Sequence, residues 1–209
     1  MTKIEQLLST YPELDVCASD IESAFKILRD CYRRGGKVLT CGNGGSAADA
    51  EHIVGELMKG YILKRSLPEE TRQKFLAASP ADGEYLAGHL QGALPAISLV
   101  SQAALNSAIA NDTADDMVFA QQVYGYGQEG DTLVGLSTSG NSRNIVRAMQ
   151  VARAMGLYTV ALTGPTGGKL KSICDVCICV PWEGTPAIQE RHLPIYHVLC
   201  AMLEEEFFA

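Results

Sequence analysis

The chain has no run of eighteen or more uncharged apolar residues, so it offers no membrane-spanning helix of ordinary length. It is also short of positive charge. Against 24 Asp and Glu stand 17 Lys and Arg, a formal charge of −7, and this argues against sequence-independent nucleic-acid binding, which needs a basic surface. An anionic ligand must therefore be held by local donors. Cysteine is too sparse for a stapled secreted scaffold. The seven, Cys17, Cys31, Cys41, Cys174, Cys177, Cys179 and Cys200, are scattered and odd in number, and read as reduced thiols. The opening residues, MTKIEQLLSTYPELD, form an acidic amphipathic pattern rather than a signal peptide. There is no internal repeat and no low-complexity tract. The expectation is a cytoplasmic protein with neither a membrane nor a nucleic-acid partner.

What is present is a length of 209 residues with 47% hydrophobic content, enough for one domain over 1–209 with a sizeable core. Val16, Ile21, Ala24, Phe25, Ile27, Leu28 and Cys31 recur at helical spacing through residues 16–34, which close on Arg33, Arg34, Gly35 and Gly36, a basic last turn followed by glycine. Residues 37–41 then read as a strand, followed by a glycine turn and a helix from Ala47 to about Met58. Further strands are expected at 95–100, 131–136, 157–162 and 175–180, and helices at 102–110, 142–155 and about 187–208. Strands alternating with helices imply an α/β fold: a doubly wound, mainly parallel, five-stranded sheet flanked by helices. Ligands of such sheets bind beyond the carboxyl ends of the strands. Residues 60–94 are long for a connection, with a Pro-Glu-Glu helix start and a Pro-Ala-Asp-Gly turn inside, and read as an excursion that could serve as a lid.

Two turns stand out. Cys41-Gly42-Asn43-Gly44-Gly45-Ser46 lies between a strand and a helix, where glycines allow close backbone approach and the helix start offers free N–H groups to an anion such as phosphate. Gly42, Gly44 and Ala47 also satisfy a loose G-x-G-x-x-A dinucleotide pattern. Against that reading, no acidic residue ends a second strand about twenty residues on, and the P-loop signature is missing. A tight turn without a ligand would explain this segment as well. Ser137-Thr138-Ser139-Gly140-Asn141-Ser142 gathers four hydroxyls and an amide before another helix, more than the single Ser or Asn that a helix cap needs. The two turns together favour a phosphosugar cradle over two separate caps.

His52 and Glu56, spaced i, i+4, share one helix face and suit a common metal or an acid and base; an exposed helical pair has the same spacing. Asp49, one turn earlier, could orient the His52 ring or favour the helix start. His192 reads either as a further polar group at the site or as a capped or exposed histidine. Cys174, Cys177 and Cys179 read as buried thiols in or beside a strand rather than a metal site. His89 has no evident partner.

In this order, the CGNGGSAADAEH turn, the LSTSGNS turn, the ALTGPTGGKL turn and the IQERHLPIYHVLC helix resemble the SIS (sugar isomerase) family, most closely its phosphoheptose isomerases. The resemblance covers nearly the whole chain outside 60–94. It implies the SIS fold, a homotetramer with sites between subunits, zinc with one ion per subunit, and interconversion of sedoheptulose 7-phosphate and D-glycero-D-manno-heptose 7-phosphate. It also implies substrate contacts from Asn43, Gly44, Gly45, Ser46, Asn111, Asp112, Ser137, Thr138, Ser139, Ser142 and Gln189. His52, Glu56, Gln189 and His197 would be the metal ligands, with Glu56 the base and His197 the acid. Gln189 and His197 lie about 12 Å apart along a straight helix, so either Gln189 sits at a frayed helix start or a neighbouring subunit supplies one of them. The chain departs from the family pattern at Ser101 and Gln102, at Pro186 and at Gly60, although Lys59, Lys64 and Arg65 lie close to the last. A non-catalytic SIS protein that binds phosphosugars or serves as an adaptor, an isomerase of another sugar phosphate, and a nucleotide-binding oxidoreductase are the competing readings. Retention of His52, Glu56, Gln189 and His197 together favours the isomerase, because a binder needs no acid–base pair.

Overall fold

The computed structural model describes Met1 to Ala209. A short helix α1 (Lys3–Thr10), held at its start by a Thr2–Glu5 capping box, leads through a 3-10 turn (Pro12–Cys17) into α2 (Ala18–Arg33). In α2 the buried positions Ile21, Ala24, Leu28, Cys31 and Tyr32 follow one helical face. The helix stops where Gly35 takes a φ of 77°, a left-handed conformation that glycine adopts without strain.

Five strands follow: β1 (Val38–Gly42), β2 (Ala96–Ser98), β3 (Thr132–Ser137), β4 (Tyr158–Thr163) and β5 (Val176–Cys179). They form one sheet in the order β2-β1-β3-β4-β5, and every pairing is parallel. Each strand lies within a residue or two of its expected position. β1 and β3 are buried along their whole length, as strands covered on both faces must be. On one face Val38, Val134, Leu136, Val160 and Leu162 pack against α2, α3 (Gly45–Met58) and α10 (Thr185–Phe208). On the other, Leu39, Cys41, Leu133 and Ala161 pack against α7 (Val118–Tyr126), α8 (Arg143–Ala154) and Leu170 of the one-turn α9 (Leu170–Ile173).

The chain leaves β1 for β2 on one side and returns to β3 on the other, which makes the carboxyl ends of β1 and β3 the switch point of the sheet. Both unusual turns open there.

Residues 60–94 hold α4 (Glu69–Ala78) and α5 (Gly83–His89), starting after Pro68 and joined through Pro80 to Asp82. These helices pack on each other, and α4 has no buried residue. The root of the excursion is tied down. Gly60 N–H donates to Gln91 Oε1 at 2.6 Å, Gly92 N–H to Arg65 O at 2.8 Å and Leu94 N–H to Leu57 O at 3.0 Å. The α4–α5 hairpin lies beyond this stem.

Candidate active site

The first turn is shaped by its glycines, Gly42 by a backbone clash that no side chain could avoid and Gly45 by the close approach of the Gln189 side chain. A Cβ on Gly42 would lie 2.1 Å from Ser46 O, and one on Gly45 would lie 2.7 Å from the Gln189 side-chain amide. Gly44 stands at the start of α3 with φ 57°, and no side chain caps the helix, so its first amides are open to an anion.

The second turn, from Ser137 to Ser142, lies beside it because Gly42 and Leu136 are register partners in β1 and β3. Ser137 donates from its hydroxyl to Ser142 Oγ at 3.0 Å. Asn141 N–H donates to Ser139 Oγ at 3.1 Å within the loop, and Asn141 Oδ1 accepts from Lys169 N–H of the next turn at 3.1 Å. Ser137 and Ser142 thus meet directly, and Ser139 Oγ accepts from the loop backbone while keeping its own proton to donate. The Gly164–Leu170 turn buttresses this loop through Gly164 N–H to Thr138 O at 2.9 Å and Leu170 N–H to Gly140 O at 3.1 Å. Asn43 and Asn144, the latter at the start of α8, pair their side-chain amides across the crevice. A cavity of about 310 Å³ opens at this point, lined by Asn43, Ser142, Arg143, Asn144, Asp115 and Asp116. Asn111 and Asp112, at the end of α6 (Ala103–Asp112), are exposed and bond to each other; the lining carboxylates come from Asp115 and Asp116 in the next turn.

A second cluster forms where α3 and α10 pack. His52 Nε2 lies 3.1 Å from Glu56 Oε1, and the His52 and His197 rings meet edge to face at 5.0 Å. Tyr61 tilts over His197 at 5.6 Å. Asp49 orients His52 through Tyr196, which sequence reasoning passed over: Tyr196 OH donates to Asp49 Oδ1 at 3.1 Å and lies 3.0 Å from His52 Nδ1. Because the phenolic proton goes to Asp49, the Tyr196 oxygen accepts from His52 Nδ1–H. That leaves the His52 Nε2 lone pair facing the Glu56 carboxylate, a contact between two acceptors that a proton or a cation must bridge. Glu56 Oε2 and His197 Nε2 are buried without a hydrogen-bond partner. Burial, and next the neighbouring His52, hold His197 below the usual imidazole value against the pull of Glu56.

Gln189 falls within α10, not at a frayed start, and its Nε2 points to Ser46 Oγ at 3.4 Å. It thus belongs with the first turn, while His197 belongs with His52 and Glu56. In one chain no three His, Cys, Asp or Glu side chains form a ready-made metal cage. Two imidazoles and a carboxylate, with His197 Nε2 and Glu56 Oε2 lacking hydrogen-bond partners, are nonetheless a donor set that suits zinc.

His192 is neither capped nor exposed. It is fully buried, donates Nε2–H to Thr163 O at 3.2 Å, and burial lowers its value to about 4. Cys174, Cys177 and Cys179 are only half-buried, because β5 is an edge strand. Cys177 and Cys179 place their sulfurs 3.7 Å apart, and burial pushes the Cys177 thiol up to about 12. His89 packs on Tyr85 in the hairpin, away from either cluster.

The family model described as SIS domain matches residues 2–74 and 85–164, passing over the junction of α4 and α5. The phosphoheptose isomerase of Akkermansia muciniphila is 39% identical over 202 residues, covering 97% of this chain and 93% of that protein. That of Geobacter sp. strain M21 is 40% identical over 188 residues, covering 90% and 84%. Among solved structures, phosphoheptose isomerase GmhA from Neisseria gonorrhoeae superposes with a TM-score of 0.70 at 31% identity, over 95% of this chain and 98% of that one. A phosphoheptose isomerase from Francisella tularensis gives 0.74 at 29% identity, over 98% and 100%. The chain belongs to the SIS domain family, and within it to the group of the phosphoheptose isomerases.

Proposed function

We propose that the protein is an aldose–ketose isomerase converting sedoheptulose 7-phosphate to D-glycero-D-manno-heptose 7-phosphate. The observation that carries this reading is that Glu56 Oε2, with Lys59 Nζ 3.9 Å away, and His197 Nε2 are buried without hydrogen-bond partners in one cluster, on helices that also frame the phosphate-sized turns. Its standing among phosphoheptose isomerases supports the substrate class.

The phosphate would sit on the open amides of Gly44, Gly45 and Ser46 and the hydroxyls of Ser137, Thr138, Ser139 and Ser142, with Asn43 and Gln189 lining the approach. From Ser46 to Glu56 is about 15 Å along α3, shortened by the lean of helical side chains towards the N-terminus. An extended sugar phosphate spans such a gap and a triose phosphate does not.

At the reacting end Glu56 takes a proton from C1 of the ketose while His197 N–H donates to the C2 carbonyl oxygen, giving the enediol; return of a proton to C2 and loss of the O1 proton give the aldose. A neutral imidazole suits the donor role, consistent with the lowered value of His197. His52, Glu56 and His197 would hold a zinc ion, with Gln189 completing the set from a neighbouring subunit. When bound, zinc would polarise the carbonyl and stabilise negative charge on the enediolate. The same reading makes the protein a homotetramer, one zinc per subunit, working in the cytoplasm, with the α4–α5 hairpin as a lid on a single SIS domain. No helix is long and apolar enough to cross a membrane.

The test is turnover of sedoheptulose 7-phosphate by the purified protein with and without zinc, beside Glu56→Gln and His197→Ala. Loss of about 100-fold or more in both variants is expected. A wild-type protein that binds the phosphosugar without turning it over would move the reading to a non-catalytic SIS protein.

A further inference from the structure

Arg65 and Glu204 are the most completely buried charged pair in the molecule, with side chains 0% and 1% exposed, and neither belongs to the cradle or to the acid–base cluster. The Glu204 carboxylate accepts from Arg65 Nε at 2.8 Å and from three successive backbone N–H groups: Tyr61 at 2.8 Å, Ile62 at 2.7 Å and Leu63 at 3.0 Å. The remaining Arg65 nitrogens donate to the last-turn carbonyls of α3, Leu57 O at 2.7 Å and Glu56 O at 2.9 Å. The guanidinium also lies 4.6 Å from the Phe208 ring centroid.

This network joins the parts that set the reacting geometry. One end grips the backbone of Glu56. The other end fixes the segment carrying Tyr61, whose ring leans on His197, and Glu204 itself lies on α10 two turns after His197. A buried ion pair is weak support for stability, since an apolar pair of similar volume can replace it. A planar fork that ends on named carbonyls is, by contrast, a device for holding position.

We propose that Arg65 and Glu204 are positioning residues for the isomerisation, a clasp that sets the Glu56 carboxylate against the His197 ring and Tyr61 over it. This rests on the isomerase reading for its rate readout, and on the fold alone for its geometry.

The test uses Arg65→Lys, which keeps the charge and loses the fork, and the double variant Arg65→Met/Glu204→Leu, which removes the pair without leaving a lone buried charge. Thermal unfolding identifies which variants fold. In the folded variants kcat should fall about 100-fold, the cost of a misplacement on the order of 1 Å, with KM within about threefold of wild type. Ring-nitrogen NMR of the four histidines gives a second readout that needs no substrate. The His52 and His197 signals should move, while those of His89 and His192, which the clasp does not touch, stay in place. Unmoved His52 and His197 signals, or a wild-type kcat, in a folded variant would overturn the clasp and leave the pair a structural contact. If the wild-type protein does not turn over the sugar phosphate, the isomerase reading fails, and the NMR signals still decide for or against the clasp.

Discussion

Asn43 and Asn144 pair both of their side-chain amides, each Nδ2 donating to the other's Oδ1 at 2.9 Å, across the crevice where β1 and β3 end. The pair ties the two halves of the cradle at its mouth, 101 residues apart in sequence. Asn43→Ala removes both bonds and should raise KM roughly tenfold with kcat nearly unchanged, since about 1–2 kcal/mol of binding geometry is lost and no reacting group is touched. Steady-state kinetics against the sugar phosphate decides it; a change confined to kcat would contradict this role.

Gly140 holds the second turn against the third. Its φ is 65°, and a Cβ there would lie 2.1 Å from Gly167 O, a backbone atom that cannot swing away. Gly140→Ala combines strain with a clash and should cost on the order of 3 kcal/mol, about 10 °C in melting temperature. Calorimetry would show it, and inorganic phosphate should no longer protect the variant. A melting temperature equal to wild type would mean that the turn relaxes freely.

His192 predicts an acid-side loss of stability. Its value in the fold is about 4 against an ordinary 6.5, so the folded state favours the neutral ring. The contribution is therefore complete above about pH 6.5, falls away as pH drops towards 4, and is level below that, for a total of about 3 kcal/mol. His192→Gln keeps an N–H donor for Thr163 O and has no charge to acquire. Urea unfolding at pH 7 and pH 4.5 should show a smaller difference for the variant than for wild type; equal differences would mean that another group carries the slope.

Zinc binding to the folded chain alone should raise its melting temperature, by the equivalent of about 2.7 kcal/mol at a hundredfold excess over Kd. Chelation should reverse the shift, and His52→Ala or Glu56→Gln should abolish it. A wild-type melt that zinc does not move would remove the ion from the proposed site.

The residues themselves announced much of this protein. The alternation of apolar strands and amphipathic helices implied a parallel doubly wound sheet, because strands covered on both faces need near-continuous apolar residues and crossovers need helices. The glycine turn after β1 and the hydroxyl-rich turn after β3 were visible as local chemistry, as was the i, i+4 pairing of His52 with Glu56. Contacts between distant segments were not visible. Tyr196 between Asp49 and His52, the Asn43–Asn144 pair, the burial of His192 and the Arg65–Glu204 clasp each join residues whose spacing carries no period, and each exists only because α10 lies against α3 or β4, or because β1 and β3 are neighbours. Gln189 shows the same division. Its place in the last helix could be read from the chain, but only the packing of that helix sent it to Ser46 and left His197 beside His52. Local sequence sets backbone conformation and which face of each element is apolar. Tertiary packing selects which polar groups meet, since a buried donor must find its acceptor wherever the fold delivers it.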